Sequence, residues 1–368
     1  MKQGWEYKKL NEVCEKGSSN IVISKLTDND GDYPLYGASG LVKHIDFYHQ
    51  DKPYIGIVKD GAGVGRVNIY PAYSSLVGTM QYIFPKKDCL LNFIKYFLVK
   101  LDLSHCVSGA TIPHIYFKDY GKDLIPVPSL KIQEKIVSEL DKINELIRLK
   151  KEQLKDYDNL AQSIFYEMFG DPVENEKGWE VKKLGEVCSQ ITDGTHNSPT
   201  NTKNGDFKYV TAKNIKKEGI VLDNITYVDA DTHHSIYSRC NPEYGDILYI
   251  KDGATTGIAT INNLNEEFSL LSSVALLKLE DKIINYYLKA VLNTPSLYNC
   301  IRTNMGGAAI TRLTLVKIKA IKIPLPPLLL QHLFAQRIEQ IERQKSAVQK
   351  SITDLETLLA SRMQYWFE

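Results

Sequence analysis

Two glycine-rich loops in the sequence have the residue types that can hold a phosphate group. The tetrapeptide Lys-Asp-Gly-Ala occurs at residues 59–62 and again at residues 251–254, although the surrounding sequence differs. Such a loop can bring backbone amides and a basic side chain, here Lys59, Arg66 or Lys251, against a phosphate of nucleic acid. A turn between two strands, whose glycines allow positive φ, explains the pattern equally well. A nucleotide site is not predicted, because neither loop matches the dinucleotide fingerprint or is followed by a Walker lysine.

Other polar residues have the donors and acceptors that read base edges in the major groove of DNA. For any single position, an ordinary polar loop residue is the more common explanation. The candidates are Lys43, His44, Tyr70, Tyr73, Ser74 and Ser75 in the first half, and Thr195, His196, Asn197, Lys213, Asn214, Thr255 and Thr256 in the second.

Catalytic and metal-binding motifs are not recognisable in the sequence. The pair His233-His234 is isolated, and residues 241–244 (Asn-Pro-Glu-Tyr) have glutamate where the adenine-methyltransferase motif has its second proline. The six cysteines contain no Cys-x-x-Cys pair, so neither a zinc site nor a redox motif is indicated. We therefore expect no catalytic residue and no metal ligand, and reduced thiols in a cytoplasmic protein.

Two long helices must position the loops. Residues 129–169 have apolar residues at gaps of three, four and seven, which is typical of one apolar seam on a long helix. About 40 residues at ~1.5 Å each give a length of about 60 Å, so the seam needs a partner helix. The residues predicted to pack there are Ile136, Leu140, Ile143, Ile147 and Leu154.

The partner helix is found through an internal repeat. Aligning residues 108–112 (SGATI) with residues 306–310 (GGAAI) sets an offset of 198 residues, and an Ile-Pro-x-Pro segment then recurs before each helix. Because proline suits the first turn of a helix and cannot continue a strand ladder, these segments predict where an extended chain gives way to a helix. The packing residues predicted on the second helix, residues 328–367, are Phe334, Ile338, Ile341, Val348 and Leu355.

The short glycine- and alanine-containing repeat that sets this offset has two interpretations. It could line the approach of DNA, or it could pack under the first turn of the following helix. We favour the packing interpretation, because the residues are small.

A second repeat opens each half of the chain. Residues 4–14 match residues 178–188 at an offset of 174, so the second globular segment is 24 residues longer than the first. The chain is thus a duplication, and the economical arrangement is antiparallel helices with pseudo-two-fold symmetry. If the duplicated chain is viewed as a ring, one connection is missing, between Glu368 and Met1. The predicted division is residues 1–128, a first recognition globule; 129–170, a central helix; 171–326, a linker and second globule; and 327–368, a C-terminal helix.

Each globule is predicted to be a mixed α/β unit with a largely antiparallel sheet, which makes the whole chain α+β. Apolar runs bounded by turns predict strands, and amphipathic segments predict helices. The strands are expected at residues 54–59, 80–85, 248–251 and 270–279, and the helices near residues 92–101 and 283–292.

The composition is that of an ordinary water-soluble protein. The 368 residues are 43% hydrophobic and 24% charged, with a net charge of +1. No apolar run reaches about 18 residues, so no membrane span is predicted. The near-zero net charge argues against coating nucleic acid through bulk charge, but allows a local basic surface.

The order of these motifs resembles the DNA-specificity subunit of type I restriction–modification systems. In both halves Gly-Trp-x-x-x-x-Leu opens the globule, and Ile-Pro-x-Pro-x-x-x-x-Gln leads into the long helix. The resemblance covers essentially the whole chain. It implies that each globule reads one half of a split double-stranded DNA target and that the helices fix the distance between the halves.

The resemblance also implies the partners of the chain. Two methyltransferase subunits would use S-adenosylmethionine, and nuclease-translocase subunits would use ATP and Mg²⁺, so the chain itself would bind no cofactor. Because the two globules differ in sequence, the target would be asymmetric. The alternatives are a specificity subunit of a fused methylase–nuclease system, a catalytic methyltransferase or nuclease, and a coiled-coil scaffold that does not read DNA.

Overall fold

Two helices of 40 residues each, Leu130–Phe169 and Leu328–Phe367, are the longest elements of the protein. Their bounds lie within one residue of the segments expected from the apolar seam. The computed structural model describes residues 4–109, 111–303 and 312–368. The repeat at residues 306–310 therefore lies outside the described residues. No described helix is both long enough and apolar enough to cross a membrane.

The chain divides into two compact units, and each unit includes part of both long helices. One unit is Met1–Glu152 with Gln349–Glu368, and the other is Gln153–Val348. These two units differ from the four predicted segments, because each unit combines one globule with the parts of both long helices that pack on it.

Within each unit the two helix segments run antiparallel. In the first unit Glu139 accepts hydrogen bonds from Arg362, and Lys151 pairs with Glu356 at 2.8 Å, so residue numbers fall on one helix as they rise on the other. In the second unit, Lys345 pairs with Asp158 at 2.7 Å. Of the residues expected to pack along the seams, Leu154 and Leu355 are half-buried, and the others are buried: Ile136, Leu140, Ile143, Ile147, Phe334, Ile338, Ile341 and Val348.

The first globule contains nine strands and a few short helices among its described residues. Its helices are Leu10–Val13, Leu91–Leu101 and Phe117–Tyr120, with single 3₁₀ turns at Ile23–Lys25 and Leu103–Cys106. Its strands are Glu6–Lys9, Cys14–Ser18, Tyr33–Gly37, Gly40–Ile45, Tyr54–Val58, Val67–Tyr70, Ser75–Leu76, Met80–Pro85 and Leu124–Val127.

The second globule repeats this plan with additional elements. Its helices are Leu184–Val187, Ala230–Tyr237, Asn285–Leu292, Pro295–Thr303 and Leu315–Lys319, with a 3₁₀ turn at Ala212–Asn214. Its strands are Glu180–Lys183, Cys188–Asp193, Phe207–Val210, Ile215–Lys216, Gly219–Ile220, Thr226–Val228, Ile247–Ile250, Ala259–Ile261, Phe268–Leu270, Val274–Leu279 and Lys322–Leu325.

Each globule has a four-stranded antiparallel sheet and a three-stranded sheet with one parallel pair. The α+β fold class is confirmed, as is the largely antiparallel pairing. Residues 270–279 do not form a single strand as expected, because the chain turns after Leu270 and passes from the three-stranded sheet to the four-stranded one. Strand Phe268–Leu270 therefore ends in one sheet and Val274–Leu279 begins in the other.

The opening motif and the Ile-Pro-x-Pro segment of each half pair with each other. Tyr7 lies opposite Pro126 in a two-stranded antiparallel sheet, and Val181 lies opposite Pro324 in the same register. The predicted change from extended chain to helix is confirmed, since these strands end at Val127 and Leu325 and the long helices begin at Leu130 and Leu328. The premise that proline cannot continue a strand ladder is wrong here. A two-stranded sheet consists only of edge strands, which tolerate a residue without a backbone N–H.

A buried glutamine then attaches each long helix to its globule. The side chain of Gln133 donates to the carbonyls of Pro128 and Asp88 at 2.9 and 2.8 Å, and accepts from the N–H of Leu90 at 2.9 Å. Gln331 makes the matching bonds in the second unit. The glutamine of the repeated motif thus satisfies backbone groups that would otherwise be buried without partners.

The C-terminal end of each long helix packs into the globule other than the one from which that helix begins. Phe169 ends the first helix and packs on Tyr287 of the second globule, with ring centroids 4.8 Å apart. Phe367 ends the second helix and packs on Phe93 of the first globule, with centroids 5.3 Å apart. This exchange is what the circular repeat requires.

Candidate nucleic-acid interface

The Lys-Asp-Gly-Ala loop of the first globule connects a buried strand to a partly buried one. Strands Tyr54–Val58 and Val67–Tyr70 pair antiparallel, and Gly65 N–H donates to the Val58 carbonyl at 2.8 Å to close the turn. Gly61, Gly63 and Gly65 have φ between 84° and 87°, a region that side chains with a Cβ disfavour. The strand-connecting interpretation is therefore correct for the backbone, and the loop still presents its edge to solvent.

The repeated segment after residue 107 packs beside this loop. Ser108 and His114 exchange backbone hydrogen bonds of 2.9 and 2.8 Å, and Gly61 N–H donates to the Pro113 carbonyl at 2.8 Å. Asp60 forms an antiparallel bridge with His114. The favoured expectation, packing under the first turn of the helix, is wrong for the described residues of this half, because Ser108, Gly109 and Thr111 are exposed and the segment bridges to the loop.

The second globule builds the same pair of segments. Asp252 forms an antiparallel bridge with Arg312, and the N–H of Leu313 donates to the Lys251 carbonyl at 2.8 Å. The equivalent bond of the first globule joins Ile115 to Lys59 at 2.9 Å. We call each pair, the glycine-rich loop with the strand-like segment that bridges to it, a loop edge.

Lys251 does not reach solvent from its loop edge. Its side chain is 2% exposed, and Nζ lies 3.3 Å from Asp193 and 3.2 Å from Asp252. The expectation that Lys251 holds a phosphate is therefore wrong, because its charge is already neutralised by two aspartates inside the globule. Lys59 of the first globule is less enclosed, at 30% exposure, with Asp60 at 3.5 Å.

Arginines that the sequence analysis did not select surround the second loop edge. Arg312 pairs with Asp252 at 3.3 Å, and Arg239 pairs with Asp193 at 3.2 Å, while both guanidinium groups remain about half exposed. Arg302 donates to the carbonyls of Ala254 and Thr256 and so braces the loop. Arginine at a loop edge is well suited to phosphate, because its planar fork donates several hydrogen bonds at once.

Arg66 occupies the comparable surface of the first globule. Its guanidinium donates to the Ala38 carbonyl at 2.9 Å, which links the glycine-rich loop to the turn between strands Tyr33–Gly37 and Gly40–Ile45. The side chain is otherwise exposed. Lys43, on the second of those strands, is engaged by the Leu26 carbonyl at 2.9 Å and by Asp30 at 3.1 Å.

Three further candidates are buried and serve the fold instead. Ser75 accepts from the His49 N–H at 2.9 Å; Asn214 caps the turn at Thr211 and donates to the Val221 carbonyl; Thr256 donates to the Gly253 carbonyl at 2.7 Å. We correct the expectation that they contact bases, since each side chain would have to leave its bonds. Ser74 is likewise buried.

The remaining candidates have exposed or half-buried side chains. Tyr73 is 54% exposed, has a φ of 55°, and packs edge-on against Tyr48 with ring centroids 5.2 Å apart. A tyrosine held in the left-handed region, with its ring mostly in solvent, is a strained feature that favours a binding role. The other side chains that the structure leaves accessible are His44, Thr195, His196, Lys213 and Thr255.

Two side chains of types that often act in catalysis, His233 and Tyr70, have structural roles here. His233 is fully buried, stacks on Phe207 with centroids 3.8 Å apart, and lies within hydrogen-bond distance of Ser269 and Glu267. His233 thus lies beside the Ser269 hydroxyl, but both side chains are fully buried, so a substrate has no access to the pair. Burial raises the pKa of the Tyr70 phenol, which packs inside the first globule.

The fold and the loop edges together define a class of protein with two similar α+β heads, each presenting one glycine-rich loop edge with arginine beside it. The family model for the type I restriction modification DNA specificity domain matches residues 2–156 and 176–357. The chain therefore belongs to that family.

Relatives and solved structures agree with this assignment. A type I restriction enzyme specificity subunit from Methanocaldococcus jannaschii is 21% identical over 319 residues, which cover 74% of this chain and 72% of the relative. A chain from Haemophilus influenzae described as a putative type I restriction enzyme specificity subunit is 22% identical over 363 residues, which cover 94% of this chain and 90% of the relative.

Two solved structures share the fold. The S subunit of a type I restriction–modification system from M. genitalium superposes with a TM-score of 0.61 at 17% identity, covering 99% of this chain and 96% of that one. A structure concerned with complex assembly and conformational transition of the type I system gives 0.59 at 19% identity, covering 100% and 98%.

Proposed function

We propose that this chain reads an asymmetric, two-part DNA target, one part with each globule. The observation that carries the proposal is the duplicated loop edge, built with the same backbone bonds in both globules but bordered by different side chains. Equivalent scaffolds with unlike surfaces suit two unlike half-sites. Arg66 and Arg312 then contact phosphates, and the exposed polar residues beside them read bases.

The long helices would fix the distance between the half-sites. A stiff linker presents the second head at high effective concentration once the first has bound. Inserting seven residues into both helices, after Glu152 and after Val348, keeps the heptad phase and adds about 10 Å. We expect the preferred spacer to change by up to about three base pairs while both half-sites stay the same. A change in either half-site would contradict the spacer role.

A domain exchange tests whether the heads read independently. Replacing residues 18–124 by the matching segment of a relative should change one half-site, and methylated-base mapping in cells that carry the methyltransferase subunit would show it. The other half-site and the spacer serve as internal controls. A change in both half-sites would refute independent reading.

The phosphate contacts are tested by salt dependence. Arg66→Ala and Arg312→Ala should each weaken binding about equally for all sequences and reduce the slope of log affinity against log salt by about 0.9. Arg148→Ala is the matched control, since Arg148 lies exposed on the first long helix and pairs with Glu145 and Glu152. An unchanged slope in the first two variants would remove these arginines from the interface.

We further propose that the catalytic chemistry belongs to partner subunits. Two methyltransferase subunits would supply S-adenosylmethionine and adenine methylation, and nuclease-translocase subunits would use ATP and Mg²⁺. The purified chain with labelled S-adenosylmethionine and DNA should transfer no methyl group. Methyl transfer by the chain alone would favour an enzyme. A lack of sequence-selective DNA binding when the methyltransferase subunit is present would favour a scaffold.

A further inference from the structure

A three-residue cluster in the first globule has the ligands of a metal site. His105 and Cys106 end the 3₁₀ turn Leu103–Cys106, and Asp123 directly precedes strand Leu124–Val127. One imidazole nitrogen, the thiol sulfur and one carboxylate oxygen all lie within 4.8 Å of one another. The sequence analysis missed the cluster, because an adjacent His-Cys pair and an aspartate 17 residues later match no standard ligand spacing.

The hydrogen bonds of His105 direct its second ring nitrogen at a carboxylate oxygen. Nδ1 lies 2.9 Å from the Asp102 carbonyl, which can only accept, so Nδ1 carries a hydrogen. Nε2 lies 3.1 Å from Oδ2 of Asp123. In the neutral ring Nε2 carries a lone pair. That lone pair and the Asp123 carboxylate repel each other unless a positive charge lies between them. An Nδ1–H bonded to a backbone carbonyl is also the usual outer support of a metal-bound histidine.

The thiol of Cys106 decides which cation fits. Sulfur, imidazole nitrogen and carboxylate oxygen together form a borderline-soft ligand set, which suits zinc and its neighbours better than Mg²⁺ or Ca²⁺. In a tetrahedral zinc site the ligand atoms lie roughly 3.3 to 3.8 Å apart, as follows from bond lengths of about 2.0 to 2.3 Å. Nε2 of His105 and Oδ2 of Asp123, 3.1 Å apart, are already close to that separation, and the Cys106 sulfur has to move toward them to complete the site.

We propose that His105, Cys106 and Asp123 bind one divalent cation of the zinc class, with a water molecule as fourth ligand. The side chain of His105 is 46% exposed, so the cluster is open to solvent on one side. The ligand set is not repeated in the second half, where Thr303 and Ile321 occupy the positions matching His105 and Asp123 at the repeat offset.

Both sides of the cluster are anchored by backbone bonds. The Asp102 side chain accepts from the Ser104 N–H at 3.2 Å, and the Asp123 carbonyl accepts from the Leu10 N–H at 2.9 Å. Two residues beyond Cys106 the chain enters the segment of the first loop edge, where Ser108 pairs with His114. A bound cation would therefore tie the start of that segment to the strand that leads into the first long helix.

The test is a cobalt titration of the full-length, metal-stripped chain. Co²⁺ replaces zinc and gives a thiolate-to-metal charge-transfer band when sulfur is a ligand. We expect one equivalent of Co²⁺ to produce the band and zinc to displace it. Cys106→Ser should abolish the band, and His105→Gln and Asp123→Asn should weaken binding by at least about tenfold. Cys300→Ser, the other half-buried thiol, is the matched control and should bind as the wild type does.

Hydrogen exchange separates a metal site from a protonated pair. A proton on Nε2 would satisfy His105 and Asp123 without any metal, and zinc would then leave exchange unchanged. Under the proposal, zinc slows exchange of amides in residues 103–109 in the wild type and not in Cys106→Ser. The proposal is overturned if the wild type shows no charge-transfer band, if Cys106→Ser keeps it, or if zinc gives no protection.

Discussion

Replacing Lys251 by methionine should destabilise the second unit far more than the matching change destabilises the first. Lys251 is 2% exposed between Asp193, 3% exposed, and Asp252. The substitution keeps the length of the side chain and removes its charge. Asp193 is then left buried with Arg239 as its remaining strong partner, and Arg239 is about half exposed.

The expected cost follows from the geometry. Breaking a buried ion pair by removing one partner costs about 3 to 5 kcal/mol, and the bond from Arg239 places this case near the lower end, at about 3 kcal/mol. Since 1.36 kcal/mol corresponds to a factor of ten, amide exchange from the core strands of the second unit should accelerate by roughly 100-fold. The first globule has the buried Ser19 where the second has Asp193. Lys59→Met there breaks only a half-exposed pair and should cost less than about 1 kcal/mol.

Hydrogen-exchange mass spectrometry is the appropriate assay, because it reports the two units separately in one sample. Peptides covering Ile247–Ile250 and Val274–Leu279 report on the second unit, and those covering Tyr54–Val58 and Met80–Pro85 report on the first. The double variant Asp193→Asn with Lys251→Met should recover most of the loss, since no fully buried carboxylate is left unpaired and Arg239 is about half exposed. Acceleration below tenfold in Lys251→Met, or no recovery in the double variant, would refute the reasoning.

Two further predictions concern the helices. The hydrogen bond from Arg362 lowers the pKa of Glu139 below its ordinary value of 4.5, so the pair stabilises the first unit above that pH and its contribution is lost as pH falls through the lower folded pKa. Glu139→Gln should therefore reduce the loss of stability that a urea-unfolding series shows as pH falls below about 4.5, and an unchanged loss would contradict this. Gln133→Leu and Gln331→Leu should each cost about 2 to 4 kcal/mol in their own unit, because each leaves buried backbone groups unpaired. Exchange protection of Leu91–Leu101 and Asn285–Leu292 measures the two effects, which should be similar; loss in the opposite unit would be inconsistent with local attachment.

The helices could be predicted from the sequence because their signal is local. A seam with gaps of three and four specifies which face is buried, and the repeat supplied the partner segment without any knowledge of the fold. The pairing of the opening motif with the Ile-Pro-x-Pro strand was missed, because the two segments lie more than 100 residues apart and the prolines argue against a strand.

The loop edges were found only in part. Their repetition marked them, but repetition does not report burial. Lys251 and Thr256 looked like surface residues because lysine and threonine usually are. In the folded chain Lys251 pairs with Asp193, an aspartate from a distant strand, and Thr256 donates a hydrogen bond to a turn carbonyl. Arg239 and Arg312 were overlooked for the converse reason, since neither lies in a recognisable motif and only the folded chain brings them to the loop.

The exchange of helix ends sets an order for folding during synthesis. All residues of the second unit, Gln153–Val348, are consecutive in the chain, so its core can close as soon as they have left the ribosome. The first unit must wait for Met363 and Phe367, which complete its core beside Phe93. The usual rule that the amino-terminal domain folds first is thus reversed. Until residues 349–368 have been synthesised, the first unit lacks side chains that its hydrophobic core requires.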